Sequence, residues 1–340
     1  MKLLLDYDPL LYQAAAIGEE RSIHVVHNNS GDEYDFKTRT EFYGHYKAKA
    51  GGWLAEFNKG KENPRLPEEF TIVDVQTPKD VGVAINKIKM DILGIKEATG
   101  CSTHYGYSGK GEVFRHNIAT ILEYKGNRKN SLRPIHLDEL KEYLVKHQAC
   151  EIVTGVEADD MCSIDSFNAY QKWKKSKSDK DKLILAGVDK DYLQCASHFY
   201  NTNIGASPCS YDGFGWLSLD AKGDVKGRGR LWLYYQCMAE DSSDNYAANS
   251  ASAMKWGEKS AYKLLKDAKN DKEAFQALVS GYKTLYPAPK GIVGWRGDTL
   301  NIDWLYVLQE NFNLAKMLRS LDEKPTEVKE ILDKLGVEYE

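Results

Sequence analysis

The residues from Val156 to Ile164 read Val-Glu-Ala-Asp-Asp-Met-Cys-Ser-Ile, so that three carboxylates, Glu157, Asp159 and Asp160, sit in an apolar frame. Like charges held close together in a partly buried place repel more strongly as the local dielectric falls, so such a cluster makes sense around a cation. Every donor is an oxygen, which suits a hard divalent metal ion. The same residues also read as caps and dipole partners at a helix amino terminus. The cluster alone leaves both readings open.

Two further acidic pairs lie where elements of structure should end. Asp189 and Asp191 follow Leu183-Ile184-Leu185-Ala186-Gly187-Val188, an apolar run of the kind a buried parallel strand has. Carboxyl ends of such strands are where α/β sheets hold ligands, and a spacing of two on an extended chain aims both acids to one side. Asp241 and Asp244, three apart, would share one face of a helical turn. Near the amino end, Lys2-Leu3-Leu4-Leu5-Asp6 is another short apolar strand that stops at an acid; Asp8, beside Pro9, reads as a turn residue.

Asp6, the Glu157-Ala-Asp159-Asp160 set, Asp189-Lys-Asp191 and Asp241-Ser-Ser-Asp244-Asn245, in that order, resemble the metal-binding series of the 5′-nuclease superfamily. That superfamily comprises the flap endonucleases and 5′→3′ exonucleases, and the likeness is to its bacteriophage members in particular. Val113-Phe114-Arg115, followed by Glu123-Tyr124-Lys125-Gly126-Asn127-Arg128-Lys129 and Arg133-Pro134, resembles the family's Tyr-Lys-x-x-Arg stretch leading into the arch over the active site. Trp256-Gly257-Glu258-Lys259-Ser260-Ala261 resembles its Gly-x-Lys-x-Ala hairpin.

The resemblance implies an α/β fold with a central, mainly parallel sheet flanked by helices, a helical arch and a C-terminal helical DNA-binding region. It implies phosphodiester hydrolysis with two Mg²⁺ or Mn²⁺ ions held by Asp6, Glu157, Asp159, Asp160, Asp189, Asp191, Asp241 and Asp244. Lys125 and Arg128 would be catalytic, and Arg115, Tyr124, Lys129, Gly257 and Lys259 would contact DNA, with K⁺ at the hairpin. The substrate would be branched, flapped or duplex DNA with a 5′ end, or an RNA–DNA hybrid as in primer removal, and the protein a monomer. Two positions depart from the pattern: Ser108 stands where many relatives carry aspartate, and Glu240 where the family usually has glycine. They keep open a second reading, a DNA-binding protein of the same fold with a weakened site. A Mg²⁺-dependent phosphatase would share the acids but leaves the basic segment and the hairpin unexplained.

A chain of 340 residues, 42% hydrophobic, has enough apolar material for one large core or two modest ones. Its net charge of −4 includes the acidic cluster, whereas Lys110, Arg115, Lys125, Arg128, Lys129 and Arg133 form a locally basic segment suited to phosphate. The lysines between 172 and 182 read as a solvated helix face. Six cysteines without Cys-x-x-Cys spacing read as buried thiols in a reducing compartment. Asp6 and Asp8 interrupt the apolar start, and no stretch reaches membrane-spanning length, so the expected location is cytoplasmic, with no membrane partner.

Positioning these residues requires alternating strands and helices. The pattern predicts a strand over 1–6, helices over 78–97, 136–148 and 157–176, and strands near 101–107 and over 183–188. Residues 1–195 would form the nuclease core with its arch and an inserted segment at 21–77. Within the insertion, Ser22–His27 and Glu33–Phe36 flank a hairpin signal, and Phe42, Tyr43, Tyr46 and Trp53 read as core. Residues 196–320 would complete the core, opening β-rich with a strand at Leu231–Tyr235 and continuing into the helical hairpin. Residues 321–340 would form a surface helix.

Overall fold

The computed structural model describes residues 1–45, 50–129, 131–206, 209–210 and 212–339. The chain divides into two units, one of residues 1–9, 91–132 and 144–340, the other of residues 10–90 and 133–143.

The first unit is built on a six-stranded sheet in the order Cys209–Ser210, His198–Asn201, Leu183–Gly187, Lys2–Asp6, Thr103–Val113, Cys150–Gly155. Five strands run parallel and only the edge pair between His198–Asn201 and Cys209–Ser210 is antiparallel. The two central strands explain their own placement: Leu3, Leu4 and Leu5 are fully buried and every residue of Leu183–Gly187 is buried, as both faces of a parallel strand should be. Gly106 permits close strand approach, since a Cβ there would lie 2.0 Å from the Leu5 carbonyl oxygen. The helix Ala158–Ser176 packs on one face through Ala158 and Cys162 against Leu4, Tyr107, Val153 and Leu185. Because neighbouring strands share one direction, Lys2–Asp6, Cys150–Gly155 and Leu183–Gly187 deliver Asp6, Glu157 and Asp189 to the same edge of the sheet.

Residues 196–236 begin with the short strands His198–Asn201, Trp216–Leu219 and Val225–Arg228, but Leu231–Tyr235 lies in the helix Arg230–Met238 rather than in a strand. Nearly every side chain of that helix is buried, so its sequence is apolar all round and carries no period to separate helix from strand. It packs with Asp271–Leu285 and Trp304–Ala315 around Phe275, Leu278, Tyr282, Val307 and Leu308. Glu258–Leu265 and Asp271–Leu285 form the helical hairpin. Val328 and Leu332 of the last helix, Val328–Leu335, are buried in the same core.

The second unit holds a three-stranded antiparallel sheet, Glu33–Phe36, Glu19–His27 and Phe70–Pro78, with the hairpin at Asn28–Asp32 as its turn. Ile23, Val25, Phe36, Phe42, Leu54 and Phe70 form its core, against which Tyr43 and Trp53 pack. Tyr46 lies outside the described residues. The helices Val81–Thr99 and Leu137–His147 fall where the apolar periodicity puts them. Among the described residues no helix is long and apolar enough to cross a membrane. Cys101, Cys150, Cys162, Cys195 and Cys237 are buried free thiols.

Candidate metal centre

Asp6 ends its strand only 4% exposed. The Tyr192 hydroxyl donates to its Oδ2 at 2.9 Å and the Asp8 N–H to Oδ1 at 3.3 Å. Tyr192 can reach it because Gly187 has no side chain; a Cβ there would lie 2.8 Å from the tyrosine ring. Burial, then the charge of Asp8, raises the Asp6 pKa to about 7 in spite of the tyrosine. Asp8 itself does more than turn the chain. Its Oδ1 accepts from the Ser108 hydroxyl at 2.6 Å and its Oδ2 from the Gly109 N–H at 3.1 Å, so buried Ser108 orients a carboxylate instead of supplying one. The only sequence signal for Asp8 was its place two residues after Asp6.

Glu157 precedes the first turn of Ala158–Ser176, and Asp159 and Asp160 lie within that turn; one oxygen from each of the three falls within 4.8 Å of the others. Arg115 is what holds them. It is 2% exposed, and its guanidinium donates to Glu157 at 2.5 Å, to both oxygens of Asp160, and to the carbonyls of Leu314 (3.0 Å) and Lys316 (2.8 Å). The expected DNA contact at Arg115 is therefore corrected: every direction of its planar fork is spent inside the protein. Asp160 also accepts the Leu318 N–H at 3.1 Å, which leaves it the least available ligand of the three. Tyr124 is corrected likewise. It is 2% exposed, with its hydroxyl 2.9 Å from Glu157 and 3.1 Å from Asp244, so its ring cannot serve as a base-stacking platform. Burial would raise the pKa of Glu157, but Arg115 and Lys125 outweigh it and hold that carboxyl below its usual range. At half-buried Asp159, desolvation and the charges of Glu157 and Asp160 outweigh the pull of Lys125 and Arg115 and push the carboxyl well above that range.

Beyond Leu183–Gly187 the chain enters a 3₁₀ turn, Lys190–Gln194, instead of staying extended; Asp189 caps it by accepting the Asp191 N–H at 2.8 Å. Asp191 is buried and takes a hydrogen bond from the Gln236 amide. Burial and then the charges of Asp189, Asp244 and Asp241 raise its pKa well above the carboxylate range. Asp241 and Asp244 do not share a helical turn either. They sit in the tight connection between the paired residues Glu240–Asp241 and Tyr246–Ala247, where Asp241 Oδ1 accepts the N–H groups of Ser243 (2.9 Å) and Asp244 (3.1 Å). Short polar side chains favour such local capping over helix, which the three-residue spacing could not reveal. Burial raises the Asp244 pKa against the pull of Lys125. Glu240 is exposed.

The basic segment from Val113 to Arg133 contains the one-turn helix Arg115–Ile118 and the 3₁₀ turn Gly126–Arg128. It is stitched to the 241–245 connection: the Lys125 N–H donates to Asp244 O at 3.1 Å, Arg128 Nε to Ser243 O at 3.0 Å, and the Asn245 amide to Glu123 O at 2.8 Å. Lys125 adopts a left-handed φ of 56° to do so. Its ammonium lies on Glu157 and 3.7 Å from Asp244, Arg128 lies 3.4 Å from Asp244, and Lys190, which the sequence reading passed over between two acids, lies 3.1 Å from Asp241. Lys129 is exposed and pairs with Glu123 at 2.8 Å. Gly257 precedes the helix Glu258–Leu265 in extended backbone with open space at its Cβ position, and Lys259 is exposed on that helix.

An all-oxygen donor set with Asp6 and Asp191 buried and Asp159 half-buried against their own repulsion fits a hard divalent cation. The chain matches no protein-family model and no curated protein. Among solved structures it is similar to the bacteriophage T5 flap endonuclease in a pseudo-enzyme–product complex with DNA and metal ions, at 15% identity and a TM-score of 0.39. It is also similar to the T5 D15 protein co-crystallized with metal ions, at 15% identity and a TM-score of 0.36. Each match covers 68% of this chain and 79% of that one.

Two outcomes follow from the electrostatics. The folded Asp6 carboxyl keeps its proton up to about pH 7 whereas an ordinary one releases it near 3.8, so between those values the folded state binds more protons and stability falls as pH rises. Thermal melts in EDTA should show that decline, and Asp6→Asn should make it shallower by removing one contributor. Arg115→Ala should destabilise the metal-free protein by about 3–5 kcal/mol, because it strands two buried carboxylates; a denaturation midpoint equal to wild type would mean that Arg115 is not their anchor.

Proposed function

We propose that this protein is a divalent-metal-dependent nuclease that hydrolyses phosphodiester bonds near 5′ ends of DNA, as a flap endonuclease, a 5′→3′ exonuclease or both. The observation that carries this reading is the convergence of acids from four separate segments on one edge of a parallel sheet, with Lys125, Arg128 and Lys190 interleaved among them. Cations placed among carboxylates suit a substrate that is itself a phosphate held next to metal. A small-molecule phosphatase would need the acids but not the exposed lysine-bearing helical hairpin.

Asp6, Asp159, Asp189 and Asp191 would hold one side of a two-ion centre, and Glu157, Asp241 and Asp244 the other, with Asp8 and Asp160 supporting them. When bound, such ions supply Lewis-acid polarisation of the phosphoryl group and an acidified water. Lys125 and Arg128 would meet the scissile phosphate and offset charge as it develops. Lys129 and Lys259, both exposed, would bind backbone phosphates without regard to sequence. We place the protein in the cytoplasm as a monomer acting on flapped, branched or duplex DNA, with an RNA-containing 5′ strand as a further substrate and K⁺ at the hairpin.

Ser108 favours a second reading, a DNA-binding protein with a weakened centre, because a neutral hydroxyl occupies mid-strand beside the acids. Asp8, held by that same hydroxyl, weighs against it. A gel assay with 5′-flap and nicked duplex DNA in Mg²⁺ or Mn²⁺ separates the two. Cleavage should appear, and Asp159→Ala or Asp189→Ala should abolish it while leaving DNA binding within a few-fold and raising the metal-free melting temperature. Near wild-type cleavage by either variant in saturating Mg²⁺ would place the centre elsewhere. Lys125→Ala should lower kcat more than it raises KM, since contacts at the reacting phosphate count most in the transition state, and Lys259→Ala should do the reverse. Equal effects on both constants from both changes would contradict that division.

A further inference from the structure

The carboxylates of the proposed centre are neutralised unequally. Glu157 carries the ammonium of Lys125, Asp244 has Lys125 at 3.7 Å and Arg128 at 3.4 Å, and Asp241 has Lys190 at 3.1 Å. Among the described residues, Asp6, Asp159 and Asp189 make no ion pair, although Tyr192 lies between them: its hydroxyl donates to Asp6, and the charges of all three act upon it. The protein therefore sets its own cations in direct contact with one half of the centre, whereas in the other Lys125 and Arg115 act on Asp159, and Lys190 on Asp189, only from a greater distance.

Lys190 is the least fixed of these cations. Its side chain is about half exposed (48%), among the described residues its single ion pair is with Asp241 Oδ2, and it borders a cavity of about 280 Å³ that Glu240, Asp241, Lys226 and Tyr246 also line. Asp241 Oδ1 is committed to the Ser243 and Asp244 N–H groups, so Lys190 covers the oxygen that a metal would take. Lysine is suited to the part: it is a compact point charge on a flexible stem, able to leave one anion for another without a fixed fork geometry.

We propose that Lys190 is an exchangeable counter-ion, which neutralises Asp241 in the metal-free protein, surrenders that carboxylate to the incoming divalent cation, and moves through the adjoining cavity to a phosphate of the bound nucleic acid. The proposal rests on the metal centre described above and assigns Lys190 a positioning role there, with Lys125 as its companion on Glu157. Metal entering the Asp6–Asp159–Asp189 half displaces no ammonium, whereas metal entering the Glu157–Asp241–Asp244 half must. The two halves should accordingly fill in order, the second being helped by any phosphate that draws the lysines away.

Calorimetric titration with Mn²⁺ in the absence of nucleic acid tests this on wild type, Lys190→Met and Lys190→Arg, together with melting temperatures in EDTA. Wild type should show a stronger and a weaker class of site. In Lys190→Met the weaker class should tighten by about tenfold or more, since a competing charge some 3 Å from a ligand oxygen has been removed, and the metal-free melting temperature should fall. Lys190→Arg, which keeps the charge, should return both values toward wild type. Weaker or unchanged Mn²⁺ binding in Lys190→Met, or a metal-free melting temperature that does not fall, overturns the exchange. These readouts do not depend on cleavage: flap cleavage with no change in Lys190→Met sinks the exchange alone, and the expected titrations from a protein that cuts no DNA sink the nuclease reading alone.

Discussion

Repulsion among carboxylates is the constraint that the first unit is organised around. Eight acids that are buried or half-buried, Asp6, Glu157, Asp159, Asp160, Asp189, Asp191, Asp241 and Asp244, cannot gather at one sheet edge unless something opposes their charge, and the fold supplies the opposition from within. Arg115 is the deepest part of it. By gripping Glu157 and Asp160 it fixes the start of the helix Ala158–Ser176, and by bonding the carbonyls of Leu314 and Lys316 it ties that helix start to the C-terminal end of the helix Trp304–Ala315. The arrangement is electrostatically incomplete by construction: enough internal cation to fold, too little to leave the centre neutral.

A second tie runs between the basic segment and the acidic connection at 241–245. Lys125, Arg128 and Asn245 bond backbone to backbone or side chain to backbone across it, while Tyr124 spans Glu157 and Asp244 from below. Groups that would meet a phosphate and groups that would hold a metal are thus parts of one framework, and displacement of either carries the other. Such mutual support is what keeps a reacting geometry within tolerance.

The sequence made the strand-end acids legible because a parallel strand buried on both faces is uniformly apolar, so Asp6 after Leu5 and Asp189 after the Leu183–Val188 run mark where each strand leaves the core. The start of the helix at Glu157 was legible for a similar reason. Arg115 and Tyr124 were misread as nucleic-acid contacts because burial is decided by partners 33 to 201 positions away, which no local pattern encodes. The helix Arg230–Met238 was hidden by its own burial, having no polar face to set a period. Asp8 and Lys190 were in plain sight within quoted motifs, yet their roles depend on Ser108 and Asp241, residues on other elements. Spacing rules also failed at the two acidic pairs, since a 3₁₀ turn and a capped connection place side chains differently from an extended chain or an α-helix.

The reach of Arg115 has a bearing on how the protein comes into being. Residues emerge from the ribosome in order, and Arg115, Glu157 and Asp160 are all made long before Leu314, Lys316 and Leu318. Until residues 314–318 arrive, the guanidinium lacks two of its acceptors and Asp160 lacks one donor, so the helix start that carries the acids lacks those anchors. The centre is consequently completed only once residue 318 has been made, and a chain ending before residue 314 carries every acidic residue of the centre while the Arg115 clamp that aligns them lacks its backbone ties.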